Sequence, residues 1–152
     1  MDVTYRMATA EDAEALALLR WEMHLEQYPE ERGDRAAFVA ASARQTRPEL
    51  ARGTYCAWLA EVGREPVAGV LLICSVMPPH FDRSERKRGF VSSVYTRPAY
   101  RRQGIGRRLM SLLVERARRE HVQALVLWSS EMGQPFYESL GFQLSNALEL
   151  DL

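Results

Sequence analysis

Residues 91–110, VSSVYTRPAYRRQGIGRRLM, decide how this chain is read. Val91 to Thr96 are β-branched, aromatic or small, the composition of a strand. Pro98 ends ladder pairing, because it lacks an N–H and restricts Arg97 to extended geometry. Two glycines, Gly104 and Gly106, then sit in a basic turn behind Arg101, Arg102 and Gln103. A helical pattern starts at once, with Ile105, Leu109, Leu112 and Leu113 at i, i+4, i+7 and i+8. A strand, a glycine turn and a helix start bring free N–H groups and the positive dipole end together. Arg101, Arg102, Arg107 and Arg108 add full charge, so the predicted guest is a phosphate or pyrophosphate.

The chain has no GxxxxGK followed by Ser or Thr, and Leu109 stands where a dinucleotide fingerprint requires its third glycine. The pattern that fits is Arg/Gln-x-x-Gly-x-Gly/Ala, filled by Arg101, Gly104 and Gly106 after a strand ending Val94-Tyr95-Thr96. Here the chain resembles the GNAT superfamily of acyl-CoA-dependent N-acyltransferases. A second match, Pro135-Phe136-Tyr137-Glu138-Ser139-Leu140-Gly141-Phe142, is similar to that family's Y-x-x-x-G-F segment. Room for one helix and one strand separates the two, and together they span residues 91–142. The resemblance implies acetyl-CoA as cosubstrate, no metal, and a strand that splays from its neighbour to pair with the pantetheine arm. It further implies that Val94, Tyr95, Thr96, Arg101, Arg102, Gln103, Gly104, Ile105, Gly106 and Arg107 bind the cofactor. The pyrophosphate would rest on backbone N–H groups, and a further N–H near Val94 or Tyr95 would stabilise the oxyanion.

Bulk properties set the frame for this reading. With 152 residues, 47% of them hydrophobic, the chain suits one globular domain with a proper core. Twenty basic and twenty acidic residues cancel, so nothing global calls for nucleic acid or an acidic membrane. Cys56 and Cys74 lie in apolar, strand-like runs without metal spacing and read as buried thiols. The polar N-terminal stretch and the lack of a long apolar run make a reducing, cytoplasmic setting the default expectation.

In chain order, Val3 to Met7 reads as a first strand, and Thr9 with Asp12 as a capping-box-like start. A helix carrying Ala13, Leu16, Leu19 and Met23 on one face runs to about Gln27. A second helix, from Arg35 to Gln45, ends or kinks at Pro48. Thr54 to Val62 and Val67 to Val76 form a hairpin, the latter apolar enough to be central. Met77 to Arg88 reads as a loop, Val122 to Trp128 as a strand, Gln134 to Leu140 as a short helix before Gly141, and Phe142 to Leu152 as the last strand. The predicted class is α/β (α+β), a GNAT-like fold with a mixed, twisted sheet of about six to seven strands flanked by about four helices.

Acyl transfer to an amine requires a deprotonated amine, a stabilised oxyanion and a protonated leaving thiolate. Tyr137 matches the family's tyrosine, which implies a general acid toward the thiolate. A phenol of pKa about 10 suits donation to a thiol of pKa about 8.5. The bland alternative is a tyrosine packed on Phe142 with its hydroxyl satisfied. Many relatives place a glutamate on the organising strand as base; here Ser92 and Ser93 occupy that region. Glu22, His24 and Glu26 on the first helix, or His80 in the loop, are the alternatives through a water relay, and His121 reads as helix-end surface. Arg83, Arg86, Lys87 and Arg88 read either as a solvated loop or as a site for the 3′-phosphate of CoA.

The function implied is acetyl transfer from acetyl-CoA to a primary amine of a small molecule or peptide. The rivals are a CoA-binding sensor or assembly subunit without turnover, and a nucleic-acid module on the basic residues from Arg101 to Arg119. The last is disfavoured by zero net charge and by the burial implied for Ile105, Leu109 and Leu113. Family members frequently dimerise, which leaves a homodimer open.

Overall fold

The computed structural model describes residues 1–31, 33–82 and 85–152, so Arg83 lies outside the described residues. Strand β1 is Val3–Met7, helices α1 and α2 are Ala13–Gln27 and Arg35–Arg52, and strands β2, β3 and β4 are Tyr55–Val62, Glu65–Met77 and Arg86–Thr96. Helix α3, Ile105–Arg119, strand β5, Ala124–Val126, and the short helix α4, Gln134–Glu138, complete the elements. Among the described residues five strands form one sheet in sequence order; β1 to β4 pair antiparallel, and β4 pairs with β5 in parallel. The α/β class and the mixed sheet agree with expectation, but the strand count is lower.

The missing strand is the last one. Residues 143–152 join no ladder, and Leu144, Leu148, Leu150 and Leu152 are exposed. Their alternation satisfies one requirement of a strand but not the other, a partner edge. Helix α2 differs in the opposite sense, running through Pro48 to Arg52. Proline removes one intrahelical hydrogen bond there, and the helix ends only where Gly53 takes φ +77°. Strand β4 starts at Arg86 rather than after Gly89, so the charged run Arg86-Lys87-Arg88 belongs to the sheet.

Alternation along the strands sorts the core into two faces. Cys56, Trp58 and Ala60 of β2 pack with Ile105, Leu109, Met110 and Leu113 of α3. Ala57 and Leu59 face the other way, with Leu19 of α1. Burying the four large α3 side chains contributes about 1.5–3 kcal/mol each before ordering costs, so α3 is anchored by its apolar stripe.

One irregularity shapes everything downstream. Val91 packs on the α3 face, yet Tyr95, four residues on, packs on the α1 face. In an unbroken strand these two would share a face. The β3–β4 register shifts between Gly69 opposite Tyr95 and Leu71 opposite Ser92, which places one extra residue in β4. Ser93 sits in this bulge with φ +54°, the left-handed region that a residue with a β-carbon enters at a cost of about 1–2 kcal/mol.

Candidate active site

Strand β4 parts from β5 just before that bulge. Their ladder holds only Arg88–Ala124, Gly89–Leu125 and Phe90–Val126, whereas β4 runs on to Thr96. From Ser92 to Thr96 the β5-side edge of β4 has no strand partner among the described residues. This is the splay that the family resemblance implied.

Beyond the splay, Arg102 (φ +63°) and Gly104 (φ +80°) are left-handed on either side of Gln103. Alternation of this kind folds successive N–H groups into an anion-binding concavity. Gly104 is the N-cap of α3, and the first amide to close the helix is Arg108 N–H to the Gly104 carbonyl, at 3.0 Å. The amides of Ile105, Gly106 and Arg107 therefore precede any intrahelical acceptor and open on the turn. A β-carbon placed on Gly106 would lie 3.6 Å from Phe136 Cζ and 3.8 Å from Thr96 Oγ1, ordinary contacts. In the free fold, then, Gly104 is demanded by its backbone angle, while Gly106 leaves the face of the turn bare. A pyrophosphate fits this donor set.

The side chains around the turn divide. Ile105 is buried in the core, so only its amide faces outward. Arg102 and Gln103 are exposed at the mouth. Arg107 donates to Ser139 Oγ at 2.8 Å, linking α3 to the end of α4. Arg101 points elsewhere: Nη2 bonds both Glu26 oxygens at 2.9 and 2.7 Å, and Nε bonds the Thr96 carbonyl at 2.7 Å. Its guanidinium also lies 5.5 Å above the Tyr95 ring. Arg101 thus fastens the end of β4 to α1. Arg86, Lys87 and Arg88 begin β4, at the opposite end of that strand from the turn.

The helix candidates for the base are engaged. Glu22 forms a bidentate pair with Arg97 at 2.9 and 3.0 Å. Glu26 accepts from Tyr95 Oη at 2.5 Å as well as from Arg101. Burial pushes the Glu26 carboxyl up, but the bonds from Tyr95 and Arg101 outweigh it and hold the group below its ordinary value. Burial, then Glu26 itself, pushes the Tyr95 phenol far up. His24 Nε2 lies 2.8 Å from Glu31, and His80 Nδ1 lies 3.0 Å from Asp82 on an exposed loop.

Tyr137 is half-buried on α4, its ring edge-on to Phe136 and Phe142 at centroid distances of 5.2 and 5.9 Å. Among the described residues nothing hydrogen-bonds its hydroxyl, and burial alone raises its pKa. The phenol is packed, as the bland alternative had it, but no protein group among the described residues holds its hydroxyl.

On the other face of β4 lies a cleft of about 270 Å³ between α1, α2 and the sheet. Ser92 and Ser93 form its floor, and Arg20, Gln45, Thr46 and Tyr55 are its main polar walls. Arg20 Nη1 donates to Ser93 Oγ at 2.8 Å and lies 3.4 Å from Ser92 Oγ. Gln45 donates to Tyr55 Oη at 2.8 Å. Sequence reasoning passed over these four walls. A signal existed only for Arg20, which falls at i+4 from Leu16 and i+3 from Ala17 and interrupts their apolar face. Among the described residues no group of three or more His, Cys, Asp or Glu side chains is placed to hold a metal, and no helix is long and apolar enough to cross a membrane.

A bulged strand splaying from a parallel neighbour, then a turn of open amides at a helix start, is the architecture of an acetyltransferase enzyme. The chain belongs to the acetyltransferase (GNAT) family, whose model matches residues 14–142. Members of this family use acetyl-CoA. Over 90 residues the chain is 36% identical to glucosamine 6-phosphate N-acetyltransferase of Trypanosoma brucei brucei, covering 58% of this chain and 61% of that protein's length. Among solved structures, a predicted acetyltransferase from Clostridium acetobutylicum with acetyl-CoA superposes with a TM-score of 0.88 at 25% identity, over 99% of this chain and 96% of the other. A GCN5-related N-acetyltransferase from Ralstonia eutropha JMP134 gives 0.82 at 28% identity, over 99% of both chains.

Proposed function

We propose that this chain, acting as one domain, transfers the acetyl group of acetyl-CoA to a primary amine of a small molecule or peptide. The observation that carries this is the order of features along the chain: the ladder of β4 with β5 stops at Phe90, the strand runs on through the bulge to Thr96, and the amide turn at Gly104 follows. One edge can thus take the extended thioester arm while the turn takes its pyrophosphate. Val94, Tyr95 and Thr96 offer backbone along the arm. Arg102, Gln103, Gly104, Ile105, Gly106 and Arg107 offer amides and charge at the phosphates. Arg101 serves by fixing the strand end to α1.

The acceptor amine enters from the Ser92–Ser93 side. Its nitrogen attacks the thioester carbon, a C–N bond forms, and backbone N–H groups at the bulge receive the oxyanion. As the C–S bond breaks, the Tyr137 hydroxyl gives its proton to the sulfur and is reprotonated from solvent. The amine proton leaves through water, because Ser92 and Ser93 are too weakly basic to take it alone.

The paucity of bases in the cleft favours a second reading, an acyl-CoA-binding subunit without turnover. The relative's name suggests glucosamine 6-phosphate as one acceptor to test. A cytoplasmic setting is supported by two unpaired cysteines. The exposed leucines after residue 142 support a homodimer.

The deciding experiment is thiol release from acetyl-CoA against a panel of amines, amino acids, amino sugars and peptide N-termini. Turnover lost in Gly104→Glu together with CoA binding supports the transferase. CoA binding without release on any amine supports the subunit reading, and no CoA binding overturns both.

A further inference from the structure

The acceptor cleft is electrostatically one-sided. Arg20 is its only charged wall, and no carboxylate lines it among the described residues. Unlike Arg6, Arg97 and Arg101, each tied to a carboxylate, Arg20 forms no ion pair among the described residues. Its contacts are two neutral hydroxyls, Ser92 Oγ and Ser93 Oγ, both reached through Nη1. Nη2 and Nε make no hydrogen bond among the described residues and remain available as donors.

Such a cleft repels a polycation and suits an anion. A guanidinium with an open donor edge matches the oxygens of a carboxylate or phosphate in pairs. Its bond to Ser93 also fixes the distance scale. Ser93 is the bulge residue, so the cation stands 2.8 Å from the hydroxyl on the side where the transferase reading brings in the amine. The volume, about 270 Å³, lies at the small end of ligand pockets and holds a molecule of amino-acid or monosaccharide size.

We propose that the acceptor is a small amine bearing its own carboxylate or phosphate, and that Arg20 binds that anion. This rests on the transferase reading above. Pairing has a second effect where a base is lacking. An anion within the acceptor holds the proton on its own ammonium, and Arg20 cancels that hold, so the bound amine deprotonates more readily. Arg20 is a specificity residue in this role, and Ser92 and Ser93 position it.

The test uses matched acceptors that differ only in the anion: an α-amino acid against its carboxamide, and an amino-sugar phosphate against the free amino sugar. Steady-state kinetics with acetyl-CoA are run on wild type, Arg20→Met and Arg20→Lys. Wild type should prefer the anionic member of at least one pair by about 10- to 100-fold in kcat/KM, the scale of a charge-assisted pair. The arm showing that preference identifies carboxylate or phosphate. Arg20→Met should bring the ratio near one, mainly through KM of the acceptor, with KM for acetyl-CoA unchanged, and Arg20→Lys should restore part of it. Turnover with equal or reversed preference, or an equal loss on both members in Arg20→Met, overturns the proposal. Calorimetric binding of the same pairs in the presence of CoA separates the two readings. Anion-selective binding lost in Arg20→Met, with no turnover, removes the transferase reading and keeps the anion site; neither binding nor turnover overturns both.

Discussion

Tyr95 donates its hydroxyl hydrogen to Glu26 at 2.5 Å, while Arg101 grips both oxygens of the same carboxylate. Tyr95 lies next to the end of the splayed strand and Arg101 opens the amide turn, so one α1 carboxylate ties the strand end to the start of the turn. The bulge makes this contact available, because only the extra residue at Ser93 turns Tyr95 toward α1.

Replacing Glu26 with Gln leaves Tyr95 an acceptor but removes the partner of Arg101. The loss in stability should be about 0.5–1 kcal/mol, as for a part-exposed ion pair. Its pH dependence has a definite sign. The folded-state pKa of Glu26 lies below its ordinary 4.5, so the carboxylate stabilises the fold above that value and ceases to as pH falls through the folded value. Urea midpoints of wild type and variant should differ at pH 7 and draw together as the pH falls below 4.5. A gap that does not narrow in acid would assign the difference to packing.

The two turn glycines should respond differently. Gly104 has φ +80°, and an alanine there carries a backbone cost of about 1 kcal/mol, read as a lower thermal midpoint. Gly106 meets nothing closer than 3.6 Å, so Gly106→Ala should keep the midpoint of the free protein. A methyl group there still covers part of the face offered to phosphate, and CoA affinity is the measurement that registers it. Destabilisation by Gly106→Ala would mean that the glycine serves the fold.

The strand, turn and helix from Val91 to Met110 were legible because each step leaves a residue-type mark: β-branching, then Pro98, then glycines, then an apolar stripe. The Ser93 bulge leaves none, since a left-handed serine looks like any other serine in sequence. The capture of Arg101 was equally hidden, for Glu26 lies 75 residues away and only the fold brings them together. Arg20 was passed over because a lone arginine on an amphipathic helix usually means solvent. Pro48 and the final strand misled for one reason: both are local signals, and tertiary packing or its absence decided the outcome.

The leucines of the C-terminal segment test the homodimer. Leu144, Leu148, Leu150 and Leu152 are 83, 99, 81 and 116% exposed, an apolar row without cover in a single chain. Paired with the same segment of a second copy, it would be buried and its backbone satisfied. Light scattering should give the mass of two chains for wild type and of one for the double variant Leu148→Asp, Leu150→Asp, with far-ultraviolet dichroism unchanged. A monomeric wild type at tens of micromolar would remove the dimer.

Tyr137 carries the sharpest chemical prediction. Its hydroxyl has no hydrogen-bond partner among the described residues, and burial raises its pKa above the ordinary 10. It therefore remains protonated across the neutral and mildly alkaline range, as a general acid must. Phenylalanine keeps the ring contacts with Phe136 and Phe142 and removes only the proton. Tyr137→Phe should lower kcat by about 100-fold, the lower range for general acid catalysis, with KM for acetyl-CoA within about twofold. The pH profile supplies the control. Wild-type kcat should hold to pH 9 or beyond, because the acid form persists, whereas a decline centred near the ordinary phenol value would contradict the burial effect. If Tyr137→Phe raised KM for acetyl-CoA and left kcat unchanged, the side chain would be orienting the cofactor, and the proton reaching the sulfur would have to come from water.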